Sequence, residues 1–277
     1  MKREFEFYQR VERSILTTYR KEIWKPFILA VKRYELIQEG DKIAVCISGG
    51  KDSMLLAKLM QELQRHSKVH FETVFLVMDP GYSEVNRRKI EENAAMLNVP
   101  ITIFETDIFS VANGTDHNPC YLCARMRRGY LYSRARELGC NKIALGHHFN
   151  DVIETTVMAM FYGAQLQAML PKLHSSNFEG MELIRPMYCV HEEDIIRWKN
   201  AHGLEFLQCA CRFTESCMAS DGTGVSKRQE VKQLLKQLKR DNPDIEKSVF
   251  NSIHSVCLDT MPGWKTKGEE HSFLENY

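Results

Sequence analysis

Residues 42–47, Lys-Ile-Ala-Val-Cys-Ile, form a short β-prone run that passes without a break into Ser48-Gly49-Gly50-Lys51-Asp52-Ser53. Met54, Leu55, Leu56, Leu59, Met60 and Leu63 then recur at helical spacing. A strand, a two-glycine loop and a helix in immediate succession commit the chain to a βα unit with the loop at the helix N-terminus. There the free backbone N–H groups and the positive end of the helix dipole favour an anion, and glycine lets the backbone come close to it. The string is not a Walker A sequence, in which Gly-Lys is followed directly by Ser or Thr, because Asp52 intervenes. It also lacks the Gly-x-Gly-x-x-Gly dinucleotide pattern.

The alternation continues along the chain. Periodicity predicts helices over 53–65, 84–97, 123–138 and 150–161, strands over 71–78, 101–104 and 142–145, and a short apolar piece at 183–184. Such a pattern implies an α/β fold: a mostly parallel, doubly wound sheet with right-handed crossovers and helices on both faces. Ligands of these sheets bind beyond the carboxyl ends of the strands, where Ser48, Met78 and Gly146 fall. Residues 105–120 and 170–180 read as irregular loops over those ends. Residues 1–36 read as mainly helical, with Pro26 breaking or kinking the run, and a second helix is expected over 227–240 after a connector. The expected division is an N-terminal helical segment over 1–36, a central domain over 37–217 and a C-terminal helical extension over 218–277.

With 277 residues and 44% hydrophobic content the chain can bury a sizeable core. Its 37 basic and 36 acidic residues nearly cancel, so any contact with RNA must come from local clustering. Arg125, Arg127 and Arg128 form one such cluster, and Lys227, Arg228, Lys232, Lys236, Lys239 and Arg240 form another that reads equally well as a solvated face. No 18-residue apolar run occurs, and Met1-Lys2-Arg3-Glu4-Phe5-Glu6 lacks the apolar core of a signal peptide, so a soluble, cytoplasmic protein without a membrane partner is expected. In that reducing compartment the nine cysteines are expected as thiols or metal ligands.

Cys120 and Cys123 have the spacing at which two thiolates point at one centre, and the arginines after them favour the thiolate form. The pair alone is compatible with a redox dithiol, half a zinc site, two ligands of an iron–sulfur cluster, or two buried thiols. Cys209 and Cys211 supply further soft ligands after the apolar Phe206-Leu207. Cys46, Cys140, Cys189, Cys217 and Cys257 read as core or surface thiols, with Cys46 buried. His66, His70, His174, His191 and His202 read as surface or capping groups without partners.

Residues 48–53 resemble the PP-loop of the ATP-pyrophosphatase superfamily, whose members cleave ATP between the α and β phosphates. Gly146-His147-His148-Phe149-Asn150-Asp151-Val152-Ile153-Glu154-Thr155 resembles the Gly-His-x-x-x-Asp-x-x-Glu-Thr signature of its tRNA-modifying members. Pro119-Cys120-Tyr121-Leu122-Cys123 followed by arginines, and a third cysteine site after Ile184-Arg185-Pro186-Met187, extend the likeness over about residues 20–260. Over that span the chain is similar to the tRNA 2-thiocytidine synthetase (TtcA) family.

The resemblance implies an adenine nucleotide alpha hydrolase-like fold and ATP-dependent thiolation of a tRNA cytidine, with Mg2+, a [4Fe-4S] cluster, a sulfide or persulfide carrier as sulfur donor, and a homodimer. It implies that Ser48, Gly49, Gly50 and Ser53 hold pyrophosphate while Lys51 neutralises its charge. Met78 would contact adenine through its backbone, and Gly146 would lie against the nucleotide. Asp52 and Asp151 would hold magnesium or position the reacting groups, and Arg127 would stabilise charge developing during adenylation. Cys120, Cys123 and Cys209 would hold the cluster, with Cys211 the alternative third ligand, because this chain has Cys209-x-Cys211 where the family often has Cys-x-x-Cys. A PP-loop ligase has no need of Cys120 and Cys123, and 2-thiouridine synthetases of this type add zinc-finger modules for which residues 1–30 and 250–277 carry no Cys-x-x-Cys pair. Intact Lys51 and Asp151 argue against a non-catalytic binder of ATP, metal or RNA.

Overall fold

The computed structural model describes residues 5–108, 119–207 and 226–277, apart from the side chains of 119–124 and 276. Two helices, α1 (Phe7–Leu16) and α2 (Lys25–Arg33), precede the first strand and are joined through a π-helical turn, Arg20–Trp24. The alternation follows as β1 (Lys42–Ile47), α3 (Lys51–His66), β2 (Glu72–Asp79), α4 (Glu84–Met96), β3 (Ile101–Glu105), α5 (Pro119–Glu137), β4 (Lys142–Ala144) and α6 (Phe149–Gly163). Then come β5 (Lys172–His174), β6 (Glu182–Ile184), α7 (Glu192–Ala201), α8 (Lys227–Asp241), α9 (Ile245–Ser252) and the hairpin β7 (Gly263–Thr266) to β8 (Glu269–Ser272).

Six strands form one sheet in the order β3-β2-β1-β4-β6-β5, parallel except for the β5–β6 pair. Strand order runs one way from β1 to β3 and then returns to the other side of β1 at β4. That reversal opens a crevice between the carboxyl ends of β1 and β4. Both faces of the sheet are covered, which is why its strands read as continuous apolar runs. Ile43, Val45 and Ile47 of β1 enter a core with α1 to α4 and α7, whereas Ala44 and Cys46 enter the opposite core with Tyr132 and Ala135 of α5. This two-residue alternation repeats in β2, where Phe75 and Val77 take the first face and Leu76 the second.

Helix α1 is tied to α3 by charge as well as packing. Lys58, fully buried, donates to Glu12 Oε1 at 2.6 Å and to the Leu97 carbonyl at 2.7 Å, and Arg65 pairs with Glu12 at 2.9 Å. Pro26 does not kink a long helix. It falls in the first turn of α2, where a missing N–H costs little, and the break from α1 lies upstream at residues 17–19.

The chain divides into two compact units: residues 1–152 with 169–226, and residues 153–168 with 227–277. The first holds α1 to α5, α7 and the six-stranded sheet. In the second, Arg228 Nε donates to Glu154 Oε2 at 2.9 Å, Tyr162 Oη donates to Glu230 at 2.6 Å, and Lys239 pairs with Glu246 at 2.7 Å. Part of the basic face of α8 is thereby engaged inside its own unit.

Four elements differ from the sequence expectation, the first being the hairpin β7–β8 inside the expected helical extension of 218–277. Residues 172–174 form an edge strand within the stretch read as a loop, since three residues with one apolar member give no periodic signal. Helix α5 begins at Pro119, four residues before the expected 123. Helix α7, unassigned above, opens on Glu192-Glu193-Asp194, an acidic first turn that complements the helix dipole.

Candidate active site

The loop after β1 owes its shape to two residues. Gly49 has φ +83°, and a Cβ there would stand 2.7 Å from Ile90 Cγ1. Ser53 Oγ donates to the Gly50 carbonyl at 3.0 Å and accepts from Ser48 N at 3.1 Å and Ser48 Oγ at 3.2 Å. The buried Ser53 hydroxyl therefore holds the loop closed, and its proton is already used within it. Gly50 caps α3 without a side-chain bond, so the first N–H groups of the helix have no side-chain acceptor there.

Charge gathers at the same end of α3. Lys51 Nζ lies 3.1 Å from Asp52 Oδ2 and 3.3 Å from Glu192 Oε1 at the start of α7. Burial pushes the Lys51 ammonium down, but the two carboxylates outweigh it and hold it above its ordinary value. The second oxygen of Asp52, Oδ1, is shielded from solvent and has no hydrogen-bond partner. Its polar neighbour is Nε2 of the buried His148 at 3.8 Å.

His148 immediately precedes α6 and shares a reciprocal cap with Asp151. His148 N donates to Asp151 Oδ2 at 3.0 Å, and Asp151 N donates to His148 Nδ1 at 3.4 Å. Nδ1 also lies 3.4 Å from Asp151 Oδ2, so this nitrogen faces the Asp151 cap while Nε2 faces Asp52. Asn150 reaches elsewhere: its Oδ1 accepts from Glu192 N at 3.0 Å, which ties the starts of α6 and α7 together.

Gly146 meets the loop itself. A Cβ on it would lie 3.1 Å from Ser53 N and 3.2 Å from Asp52 C, so only glycine lets this strand end close on the loop backbone. Met78, at the end of β2, is buried with Ile108, and Met126 of α5 packs against that pair. Arg127, the next residue, is half-buried. On the other flank Leu207 N donates to the Gly49 carbonyl at 3.2 Å, and Asn93 Nδ2 donates to the Glu205 carbonyl at 2.9 Å.

The side chains of Cys120 and Cys123, and all of Cys209, Cys211 and Cys217, lie outside the described residues. Cys46 and Cys140 are buried, Cys189 is half-buried and Cys257 exposed. Burial pushes the Cys46 thiol up to about 12. The histidines set aside above have partners after all: His70 with Glu39, His174 with Glu182, His66 with Glu62, His202 with the Trp198 carbonyl, and His191 against the Phe149 ring. Sequence reading passed over Glu192, His148 and Arg185 as site residues. The acidic triplet opening an apolar run at 192 was the one local signal for Glu192.

A parallel sheet with an anion loop at its reversal point, and a glycine turn seated on that loop, defines a PP-loop nucleotide-binding protein, and a family model described as the PP-loop domain matches residues 12–211. A tRNA-cytidine(32) 2-sulfurtransferase of Citrifermentans bemidjiense is 35% identical over 231 residues, 82% of this chain and 87% of that protein. One of Cellvibrio japonicus is 36% identical over 255 residues, 90% and 80% of the two chains. Among solved structures, the U34-tRNA thiolase NcsA from Methanococcus maripaludis with its [4Fe-4S] cluster superposes with a TM-score of 0.65 at 18% identity, covering 87% of this chain and 80% of that one, a likeness of fold. The chain belongs to the PP-loop family and, within it, to the tRNA 2-thiocytidine synthetase family of transferases. No helix among the described residues is long and apolar enough to cross a membrane.

Proposed function

We propose that this protein is an ATP-dependent tRNA sulfurtransferase of the cytoplasm that replaces the C2 oxygen of a cytidine by sulfur. The observation that carries the reading is the closure of the Gly146 turn on the 48–53 loop, with Lys51, Asp52 and Asp151 beside it. A carbonyl oxygen leaves poorly, so it must first be activated. The C2 oxygen attacks the α-phosphorus of ATP, the bond to the β-phosphate oxygen breaks, and pyrophosphate departs. A sulfur nucleophile then adds at C2, and the original oxygen leaves with AMP.

Backbone N–H groups of Gly49, Gly50 and the first turn of α3 hold the pyrophosphate, with Ser53 keeping the loop in shape and the Ser48 hydroxyl turning from Ser53 Oγ to a phosphate oxygen when the nucleotide binds. Lys51, cationic at neutral pH, offsets phosphate charge. Asp52 and Asp151 suit magnesium: Asp52 Oδ1 is buried without a partner, and a hard cation on phosphates asks for one or two carboxylates rather than a full protein cage. Bound there, the ion would neutralise charge on the phosphate oxygens. Arg127 is assigned to the charge developing at the α-phosphate, Met78 to the adenine and Gly146 to the nucleotide-facing turn. A [4Fe-4S] cluster on Cys120, Cys123 and Cys209, or Cys211 in its place, would supply the sulfur chemistry. That ligand set, the sulfide or persulfide donor and the homodimer rest on family membership.

Protein purified without oxygen is to be assayed for iron and sulfide, then incubated with tRNA, ATP, magnesium and sulfide before nucleoside digestion. 2-Thiocytidine with stoichiometric AMP is the expected product. Zinc without iron would remove the cluster, a thiolated uridine would move the substrate, and a reconstituted cluster with no thiolated nucleoside would overturn the reaction. Cys120→Ala should abolish thiolation while ATP still binds.

A further inference from the structure

Arg185 has no role in the account above, yet it stands on the same edge of the sheet. It directly follows β6, whose Ile184 carbonyl accepts from Leu145 N at 3.0 Å, level with the strand end that carries Gly146. Its guanidinium donates from Nη1 to the Leu170 carbonyl. Nε is shielded from solvent and has no hydrogen-bond partner, and the carboxylate that acts on the group, Asp151, does so through space without an ion-pair contact among the described residues. Burial lowers its pKa to about 10, offset in part by Tyr188, Tyr132 and Asp151, with Arg128 adding to the drop. It therefore carries a full charge at neutral pH.

Arg185 is half-buried with its Nε shut off from solvent, and a cation so placed, with no ion pair among the described residues, gains from an anionic ligand. Holding the 169–171 loop does not account for it: Arg185 N already donates to the Pro171 carbonyl at 2.9 Å, and Tyr188 Oη to the Met169 carbonyl at 2.7 Å. One carbonyl needs one neutral donor, whereas this residue brings a charged, planar fork suited to two oxygens of a phosphate. We propose that Arg185 forms an anion subsite of the crevice that receives a phosphate, either of the bound nucleotide or of the polynucleotide backbone. The inference rests on the reading of the crevice as a nucleotide and tRNA site.

Labelling the intact wild-type protein with phenylglyoxal, alone, with AMP, or with tRNA, and mapping Arg185 by mass spectrometry tests it without a variant. Arg185→Gln and Arg185→Lys add affinities. Protection by AMP, with AMP binding at least tenfold weaker in Arg185→Gln and partly recovered in Arg185→Lys, assigns the nucleotide phosphate. Protection by tRNA, with the slope of log affinity against log salt reduced by about 1 in Arg185→Gln, assigns the backbone phosphate. If the wild type binds both ligands while labelling of Arg185 is unchanged by either, the subsite is overturned, as it is if Arg185→Gln melts lower but binds both normally. A wild type that binds neither ligand would instead sink the functional reading on which the subsite rests.

Discussion

His148 shows how one side chain can serve two ends of a site. Its Nδ1 caps α6 through Asp151 N, and its Nε2 lies 3.8 Å from an Asp52 oxygen that nothing else satisfies. The two nitrogens can be separated by substitution. Asparagine keeps an acceptor near Nδ1 and is a good cap, so His148→Asn should lose under about 1 kcal/mol of stability yet at least tenfold in ATP-dependent turnover. Glutamine reaches the position of Nε2 but caps poorly, so His148→Gln should lose about 1 kcal/mol and keep turnover within a few-fold. Thermal melts and AMP release check both, and equal turnover in the two variants would deny Nε2 any role.

Between elements, the contact of α1 with α3 depends on Lys58 and Glu12. Breaking a buried pair strands the remaining charge, so Lys58→Met should destabilise the protein by roughly 3 kcal/mol, and Lys58→Met with Glu12→Leu should recover much of that. Denaturant midpoints measure it; a double variant no better than the single would mean that packing, not charge, dominates. Burial pushes the Glu12 carboxyl up, but Lys58 and Arg65 outweigh it and hold it below the usual carboxylate range. Since its folded pKa is depressed, its stabilisation is present above the ordinary carboxylate pKa and fades as pH falls through the folded value. The midpoint of Glu12→Gln should therefore differ from wild type at pH 7 and converge on it in acid.

For the whole molecule, binding at the crevice should stabilise the folded state. Magnesium–ATP at 100 times its dissociation constant adds about 2.7 kcal/mol, some 5–10 °C in melting temperature for a chain of this size. Chelation by EDTA should remove a large part of that shift, and a shift unchanged by EDTA would dissociate Asp52 and Asp151 from magnesium.

Most strands and helices of the sheet were legible because their signals are local: the 42–47 run, the two-glycine loop and the helical spacing of Met54 to Leu63 sit within about twenty residues of one another. The hydroxyl of Ser53, by contrast, reads in the sequence as a phosphate donor, and that it bonds the Gly50 carbonyl within the loop could not be read there, since a side chain's acceptor is not written beside it. The sequence by itself determined the α/β class, the anion loop and the family, all carried by short patterns and their order. Only the tertiary structure decided that β4 lies beside β1, that Gly146 touches the backbone of Asp52 and Ser53, and that Glu192 comes from 141 residues away to Lys51. Strand order is a choice among global packings that residue periodicity does not encode, and the distances across the crevice follow from that choice.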